Sequence, residues 1–154
     1  MNKEMNKKIR LTKQFEFEMA HTLTGYDGSC REIHGHSYKL FVTVAGCPDQ
    51  NPDNPKFGMT LDFGILKRVV NEKIIDRYDH SLVIRATEQN ETLIDVLKGD
   101  FSKVQVVDYQ PTCENMVMRF AESIMKELPE GVELIMVRLC ETATSYAEWW
   151  ACDN

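Results

Sequence analysis

Three histidines stand where their rings could meet around a metal ion. His34 and His36 are two residues apart in an alternating segment, so both rings project from one face of a strand. His21 ends the preceding alternating segment on its apolar parity. Three imidazoles with a fourth position left open form the ligand set of a catalytic zinc. A His-x-His pair alone is more often a hydrogen-bonded strand end, so the third histidine is what favours zinc over this simpler interpretation.

Cys30 lies four residues before His34, close enough for its thiol to stand beside a metal ion held by His34 and His36. A thiol near a dication loses its proton more readily than a free thiol, whose pKa is about 8.5, and can then act as a general base. A fourth metal ligand and a buried inert thiol remain open as alternatives. The inert role suits the other cysteines better, and these are Cys47, Cys113, Cys140 and Cys152.

Asp79 and His80 form a further candidate pair at the end of a predicted helix. A carboxylate next to an imidazole can orient it for proton relay, although the dipeptide by itself is a weak signal.

Glu141 ends a segment in which Val137 and Leu139 predict an inward-facing row of side chains. A carboxylate rarely lies on such a face without a partner. It either binds a cationic or donor-rich ligand or pairs with Arg138 or another basic group, and its position does not separate the two.

The alternation of apolar and polar residues predicts strands that carry these side chains at their ends. Phe15, Phe17 and Met19 share one face of the first strand, and the second strand repeats the pattern. The segment 47–58 contains three prolines and is predicted to be a surface loop. The predicted strands span residues 8–20, 35–46, 103–108, 132–141 and 145–151.

Two helices are predicted between these strands. The first has Asp62 as its N-cap and an apolar stripe that reaches Tyr78, and the second begins after Thr112 as its cap. Residues 81–104 show a weaker pattern, with a short helical turn that Gly99 is expected to end. The chain is therefore predicted to be a single domain, 1–154, of the α+β class with helices on one sheet face.

Composition and charge restrict the partners. The net charge of −6 and the absence of a basic block beyond residues 3–10 argue against a nucleic-acid surface. No stretch approaches about 18 consecutive apolar residues, so we expect no membrane span and a cytoplasmic location. The partner should be a small molecule. If it carries phosphates, the positive charge must be local or come from a neighbouring subunit.

Several short motifs, in this order along the chain, together resemble one family. They are Phe17-Glu18-Met19-Ala20-His21, Cys30-x-x-x-His34-Gly35-His36, Leu61-Asp62-Phe63, Asp79-His80, Pro111-Thr112-x-Glu114-Asn115 and Glu141-Thr142. The chain resembles the 6-pyruvoyl-tetrahydropterin synthase family over nearly its whole length.

The resemblance implies a tunnelling fold, an antiparallel sheet with two helices that assembles into a trimer or hexamer with active sites between subunits. It implies zinc held by His21, His34 and His36, and Cys30 as the proton acceptor. The remaining roles that it implies are a proton relay for Asp79 and His80, a pterin anchor for Glu141, and pocket lining for Thr112 and Glu114.

Within the family, the spacing of three residues between Cys30 and His34 resembles that of the bacterial 6-carboxy-5,6,7,8-tetrahydropterin synthases of queuosine biosynthesis. The implied lyase reaction converts 7,8-dihydroneopterin triphosphate to 6-carboxy-5,6,7,8-tetrahydropterin, acetaldehyde and triphosphate. The alternatives are the pyruvoyl-forming synthase, a non-catalytic zinc-binding protein, and another tunnelling-fold enzyme such as a cyclohydrolase, an aldolase or an epimerase. The segment 81–110 departs from the most compact members and is expected to reshape the rim of the pocket.

Overall fold

The computed structural model describes residues 7–154, and in this range six strands form one mixed sheet. The first residues of the predicted domain, 1–6, lie outside the described part. The sheet order is β4-β3-β1-β2-β5-β6, in which the β1, β2, β5 and β6 neighbours are antiparallel, whereas β3 runs parallel to β1 and to β4. The strands are β1 Ile9–His21, β2 His34–Gly46, β3 Ser81–Arg85, β4 Val104–Val107, β5 Glu133–Cys140 and β6 Tyr146–Trp150.

The helices begin at the predicted caps. Asp62 accepts a hydrogen bond from the Gly64 N–H at 2.8 Å, and Thr112 Oγ1 accepts one from the Asn115 N–H at 3.3 Å. Within residues 7–154, no helix combines the length and apolar character that crossing a bilayer requires. The helices are α1 Phe63–Val70, which continues through a π-helical turn Asn71–Ile75 into α2 Asp76–Tyr78, then α3 Glu91–Asp100 and α4 Cys113–Met125.

The main core lies between one face of the sheet and the helices α1 and α4. Phe17 and Tyr38 occupy paired positions on β1 and β2, and their rings stack with centroids 5.2 Å apart. Phe120 of α4 packs edge-on against Phe17 at 6.3 Å. Alternate residues of a strand share a face. The side chains that continue this alternation at the end of β1 and at the beginning of β2 therefore also lie on the core face.

One part of the sheet differs from the prediction. The strand β3 was not predicted, because Val83 and Ile84 are both fully buried on opposite faces and the segment shows no alternation. The helix α3 was expected to end at Gly99 but continues to Asp100. An added side chain at Gly99 would meet open space, so this glycine is tolerated within the last turn and does not mark its end.

The β3–α3–β4 unit, residues 81–107, makes the sheet mixed rather than purely antiparallel. Leu82 pairs with Ala20 and therefore points to the face opposite the main core. Leu97 of α3 lines a cavity together with Leu82 and with Glu18, which is exposed on that same face. Two helical segments thus cover the predicted face, and α3 covers part of the other.

Candidate active site and metal centre

The strand register brings His21, His34 and His36 together. In the antiparallel β1–β2 pair, His34 lies opposite His21 and His36 lies opposite Met19, so the three rings share the core face. The ring centroids are 4.5 to 5.3 Å apart. One nitrogen from each ring lies within 4.8 Å of the others, which is the arrangement that three ligands of a single metal ion require.

Backbone carbonyls orient two of these rings. The Nδ1 atom of His21 lies 2.8 Å from the Pro111 carbonyl oxygen, and that of His34 lies 2.8 Å from the Glu32 carbonyl oxygen. A carbonyl only accepts, so each Nδ1 carries the proton and donates it. In the neutral rings the Nε2 atoms then present lone pairs, as metal ligands need.

Electron-rich atoms converge at the centre of the cluster. His21 Nε2 and His34 Nε2 are 3.0 Å apart, and among the described residues the buried His36 Nε2 has no hydrogen-bond partner. Glu141 Oε1 lies 3.5 Å from the Nε2 atoms of both His21 and His36. Lone pairs and a carboxylate repel one another at these distances unless a proton or a cation lies among them.

Burial of the rings favours binding of a metal ion over protonation of the histidines. Desolvation lowers the pKa of His21 and of His36, since both rings are withdrawn from water. Neutral rings that converge in this way fit a divalent metal ion, which requires unprotonated imidazole.

We expect His36→Ala to reduce the divalent metal content of the purified protein by at least about tenfold, because one of three ligands is lost. Elemental analysis after dialysis measures this content. His80→Ala is the matched control and should keep its metal, since His80 is not one of the three converging histidines and its Nδ1 contacts Asp79. Unchanged metal content in His36→Ala would contradict the assignment.

A cavity of about 280 Å³ opens beside the histidines. Its walls include most of the side chains singled out from the sequence, namely His21, His34, Cys30, Thr112, Glu114 and Glu141. Glu141 follows the end of β5 and keeps about a quarter of its side chain exposed, at 27%. The Tyr38 hydroxyl lies 3.4 Å from Glu141 Oε1 and can donate to it from the core side. The carboxylate is therefore held on the cavity wall through Oε1, and no other described residue is hydrogen-bonded to Oε2, which can accept from a ligand.

A closed loop presents Cys30 to this cavity. Cys30 lies in a short 3₁₀ turn, Ser29–Arg31. Its carbonyl accepts from the Leu23 N–H at 3.1 Å, and the Thr22 hydroxyl donates to the Arg31 carbonyl at 2.6 Å. These bonds join the loop ends, so the half-buried thiol is held at the cavity wall.

Asp79 and His80 lie elsewhere in the same chain. They flank the end of α2, and His80 lines a second cavity, of about 670 Å³, that includes Glu18 and Ser37 of the opposite sheet face. No described residue lines both cavities. The sequence order of the motifs gave no sign of this separation.

The Asp79–His80 pair is itself well formed. Asp79 accepts from the Glu18 N–H at 2.9 Å, and its other oxygen lies 2.9 Å from His80 Nδ1. Desolvation raises the pKa of Asp79, but the hydrogen bonds from Glu18 and His80 outweigh it, so that the pKa lies below its ordinary value. His80 adopts φ of 59°, a left-handed conformation that costs a non-glycine residue roughly 1–2 kcal/mol.

Sequence reasoning missed several residues around these sites. Tyr26 and Tyr146 line the smaller cavity and are both exposed, and Lys103 lines the larger one. Tyr146 lies in a predicted strand and Lys103 at the start of one, where neither composition nor parity marks a residue as part of a site. Only the Gly-rich sequence around Tyr26 indicated a loop.

The fold and the sequence match known proteins. The fold is shared with the Caenorhabditis elegans 6-pyruvoyl tetrahydropterin synthase, with a TM-score of 0.69 at 20% identity over 96% of this chain and 98% of that one. A Wolinella succinogenes protein of uncharacterized function gives a TM-score of 0.73 at 21% identity, covering 94% of this chain and 99% of that one. These similarities confirm the predicted tunnelling fold class.

The sequence comparisons go further. The profile of the 6-pyruvoyl tetrahydropterin synthase family matches residues 10–152, and the chain belongs to this family. The 6-carboxy-5,6,7,8-tetrahydropterin synthase of Haemophilus influenzae is 36% identical over 142 residues, which are 92% of this chain and 98% of the relative. The synthase of the same name from Rickettsia bellii is 28% identical over 142 residues, 91% of this chain and 99% of the relative. The resemblance seen in the motifs is thereby confirmed.

Proposed function

We propose that this chain is a zinc-dependent tetrahydropterin synthase that converts 7,8-dihydroneopterin triphosphate and one water molecule to 6-carboxy-5,6,7,8-tetrahydropterin, acetaldehyde and triphosphate. The observation that carries the proposal is the convergence of three histidines, two of which line one cavity together with Cys30 and Glu141. The names of the Haemophilus and Rickettsia relatives, together with the three residues between Cys30 and His34, favour the carboxy product.

Glu141 anchors the pterin ring. A pterin presents adjacent N–H donors along one edge, and a carboxylate can accept from two of them at once. Because Glu141 also lies 3.5 Å from two histidine nitrogens, a pterin bound to it has its side chain beside the metal centre. Thr112 and Glu114 line the adjoining wall.

Zinc suits three neutral imidazoles and, when bound, acts as a Lewis acid that polarises the side-chain oxygens of the substrate. Cys30 accepts a proton from the substrate carbon next to these oxygens, since its loop holds the thiol at the cavity wall beside His34. The closed loop limits the motion of the thiol and so favours a fixed direction of proton transfer.

Asp79 and His80 act as the relay of a site completed by a second subunit. His80 lines a cavity separate from the one that Cys30 lines in the same chain, which supports a site to which a neighbouring chain brings the pair. The protein therefore functions as a homo-oligomer, a trimer or hexamer, and its partners are a pterin triphosphate and not a nucleic acid or a membrane. We place it in the cytoplasm.

The test is mass analysis of the products formed from 7,8-dihydroneopterin triphosphate by the zinc-loaded protein. We expect 6-carboxy-5,6,7,8-tetrahydropterin and acetaldehyde in equal amounts. Pyruvoyl-tetrahydropterin without acetaldehyde would identify the pyruvoyl-forming reaction instead. Full activity after metal removal would indicate an aldolase or epimerase. No turnover by a protein that retains its metal would indicate a non-catalytic metal-binding protein.

A further inference from the structure

We infer that Lys103, in the β3–α3–β4 unit, is a positioning residue that holds His80 in the orientation required for proton relay. The inference rests on the proposed function, in which His80 transfers protons. It assigns a role to the β3–α3–β4 unit, residues 81–107. The observations that carry it are the contacts of a single peptide unit, the one that joins Asp79 to His80.

Both polar groups of this peptide unit are bound. The His80 N–H donates to the Glu18 carbonyl at 2.6 Å, and Lys103 Nζ donates to the Asp79 carbonyl at 2.7 Å. The first bond comes from β1 and the second from the start of β4, so the peptide plane is fixed from two sides. A hydrogen bond from an ammonium group is stronger than one between neutral groups.

The fixed plane determines where the imidazole points. With φ at 59°, His80 directs Nδ1 to Asp79 Oδ2, 2.9 Å away, and leaves 75% of its side chain exposed toward the cavity. A rotation of the peptide plane would relieve the left-handed conformation, and the bond from Lys103 opposes that rotation. The strained conformation therefore depends on a side chain from outside the α2–β3 connection.

Lys103 is itself held in place by the β3–α3–β4 unit. Its carbonyl accepts from the Leu82 N–H at 3.0 Å, which attaches the start of β4 to β3. Leu97 and Phe101 of the same unit line the cavity beside it. Lys103 also supplies the only ammonium or guanidinium group among the described residues that line this cavity, where Glu18 is the carboxylate.

The unit thus has a function that its position at the sheet edge does not suggest. It positions the Lys103 ammonium group so that it donates a hydrogen bond to the Asp79 carbonyl. Removing that side chain should leave the metal centre and the pterin anchor intact, because Lys103 Nζ bonds to the Asp79 carbonyl. Glu141, His21 and His34 line the other cavity, and of the three histidines only His36 lines the cavity of Lys103.

The test compares Lys103→Met and Lys103→Arg with wild type in two independent measurements. The first is steady-state kinetics with 7,8-dihydroneopterin triphosphate. We expect Lys103→Met to lower kcat about tenfold with KM within about twofold, since a misplaced proton-transfer group slows chemistry and not binding. Lys103→Arg, which keeps the charge, should recover most of kcat. Lys98→Met, an exposed lysine of α3, is the matched control and should be unchanged.

The second measurement needs no turnover. Crystal structures of wild type and Lys103→Met without substrate should show the Asp79–His80 contact in the former and its loss in the latter. An unchanged pair in Lys103→Met overturns the inference, and so does a raised KM with unchanged kcat, which would make Lys103 a ligand of the substrate phosphates. If wild type does not turn over, the proposed function fails and the crystal comparison still decides the role of Lys103. Should Lys103→Met not fold, Lys103→Gln is measured in the same way.

Discussion

Cys30→Ala is expected to lower kcat about 10³-fold while the metal content per chain stays the same, because a positioned proton-transfer group contributes about 10²–10⁴. The thiol lies on the wall of the cavity that Glu141 and two of the histidines share. Alanine removes the thiol that we propose as the proton acceptor and none of the three converging histidines. Turnover and elemental analysis on the same preparations measure both quantities.

Cys113→Ala is the matched control, since Cys113 lines the same cavity. Burial raises the pKa of Cys113 to about 12, and its thiol lies 3.2 Å from the Leu139 carbonyl, to which it can donate. It therefore remains protonated at neutral pH and cannot accept a proton. We expect its kcat within about threefold of wild type. Loss of metal in Cys30→Ala would instead identify Cys30 as a fourth ligand, and equal losses in both variants would indicate damage to the cavity.

Mixed oligomers should recover activity from two inactive chains. Cys30→Ala and His80→Ala are each expected to be nearly inactive alone. If each site takes Cys30 from one chain and His80 from a neighbour, random co-assembly at equal amounts restores about a quarter of all sites, and about a third of the sites in purified mixed trimers. The reason is that the two residues line separate cavities in one chain. Co-expression with two affinity tags, followed by purification of the mixed species, supplies the material.

The control for this experiment mixes Cys30→Ala with Glu141→Ala, whose altered residues line the same cavity of one chain. No combination of these chains rebuilds a cavity with both side chains, so activity should stay at the level of the single variants. Recovery in the control would show that Cys30 and Glu141 serve one site from different chains, contrary to their shared cavity. No recovery with His80→Ala would show that His80 reaches Cys30 within one subunit.

The sequence by itself determined the strands and helices in which apolar residues recur at a regular spacing. Alternation located β1 and β2 to within one residue, because one face is more buried than the other in β1 and in the first half of β2. The same parity indicated that His21, His34 and His36 share a face. Side-chain acceptors before apolar stripes marked Asp62 and Thr112 as caps. The family followed from the order of the motifs.

The tertiary structure decided what no local pattern records. The strand β3 is buried on both faces and so has no alternation to detect, and its parallel pairing with β1 depends on residues far along the chain. The contact of Lys103 with the Asp79 carbonyl joins residues 24 positions apart. The assignment of Cys30 and His80 to separate cavities depends on which face of the sheet each element covers. Periodicity is a property of neighbours in sequence, whereas these contacts arise only when distant segments pack together.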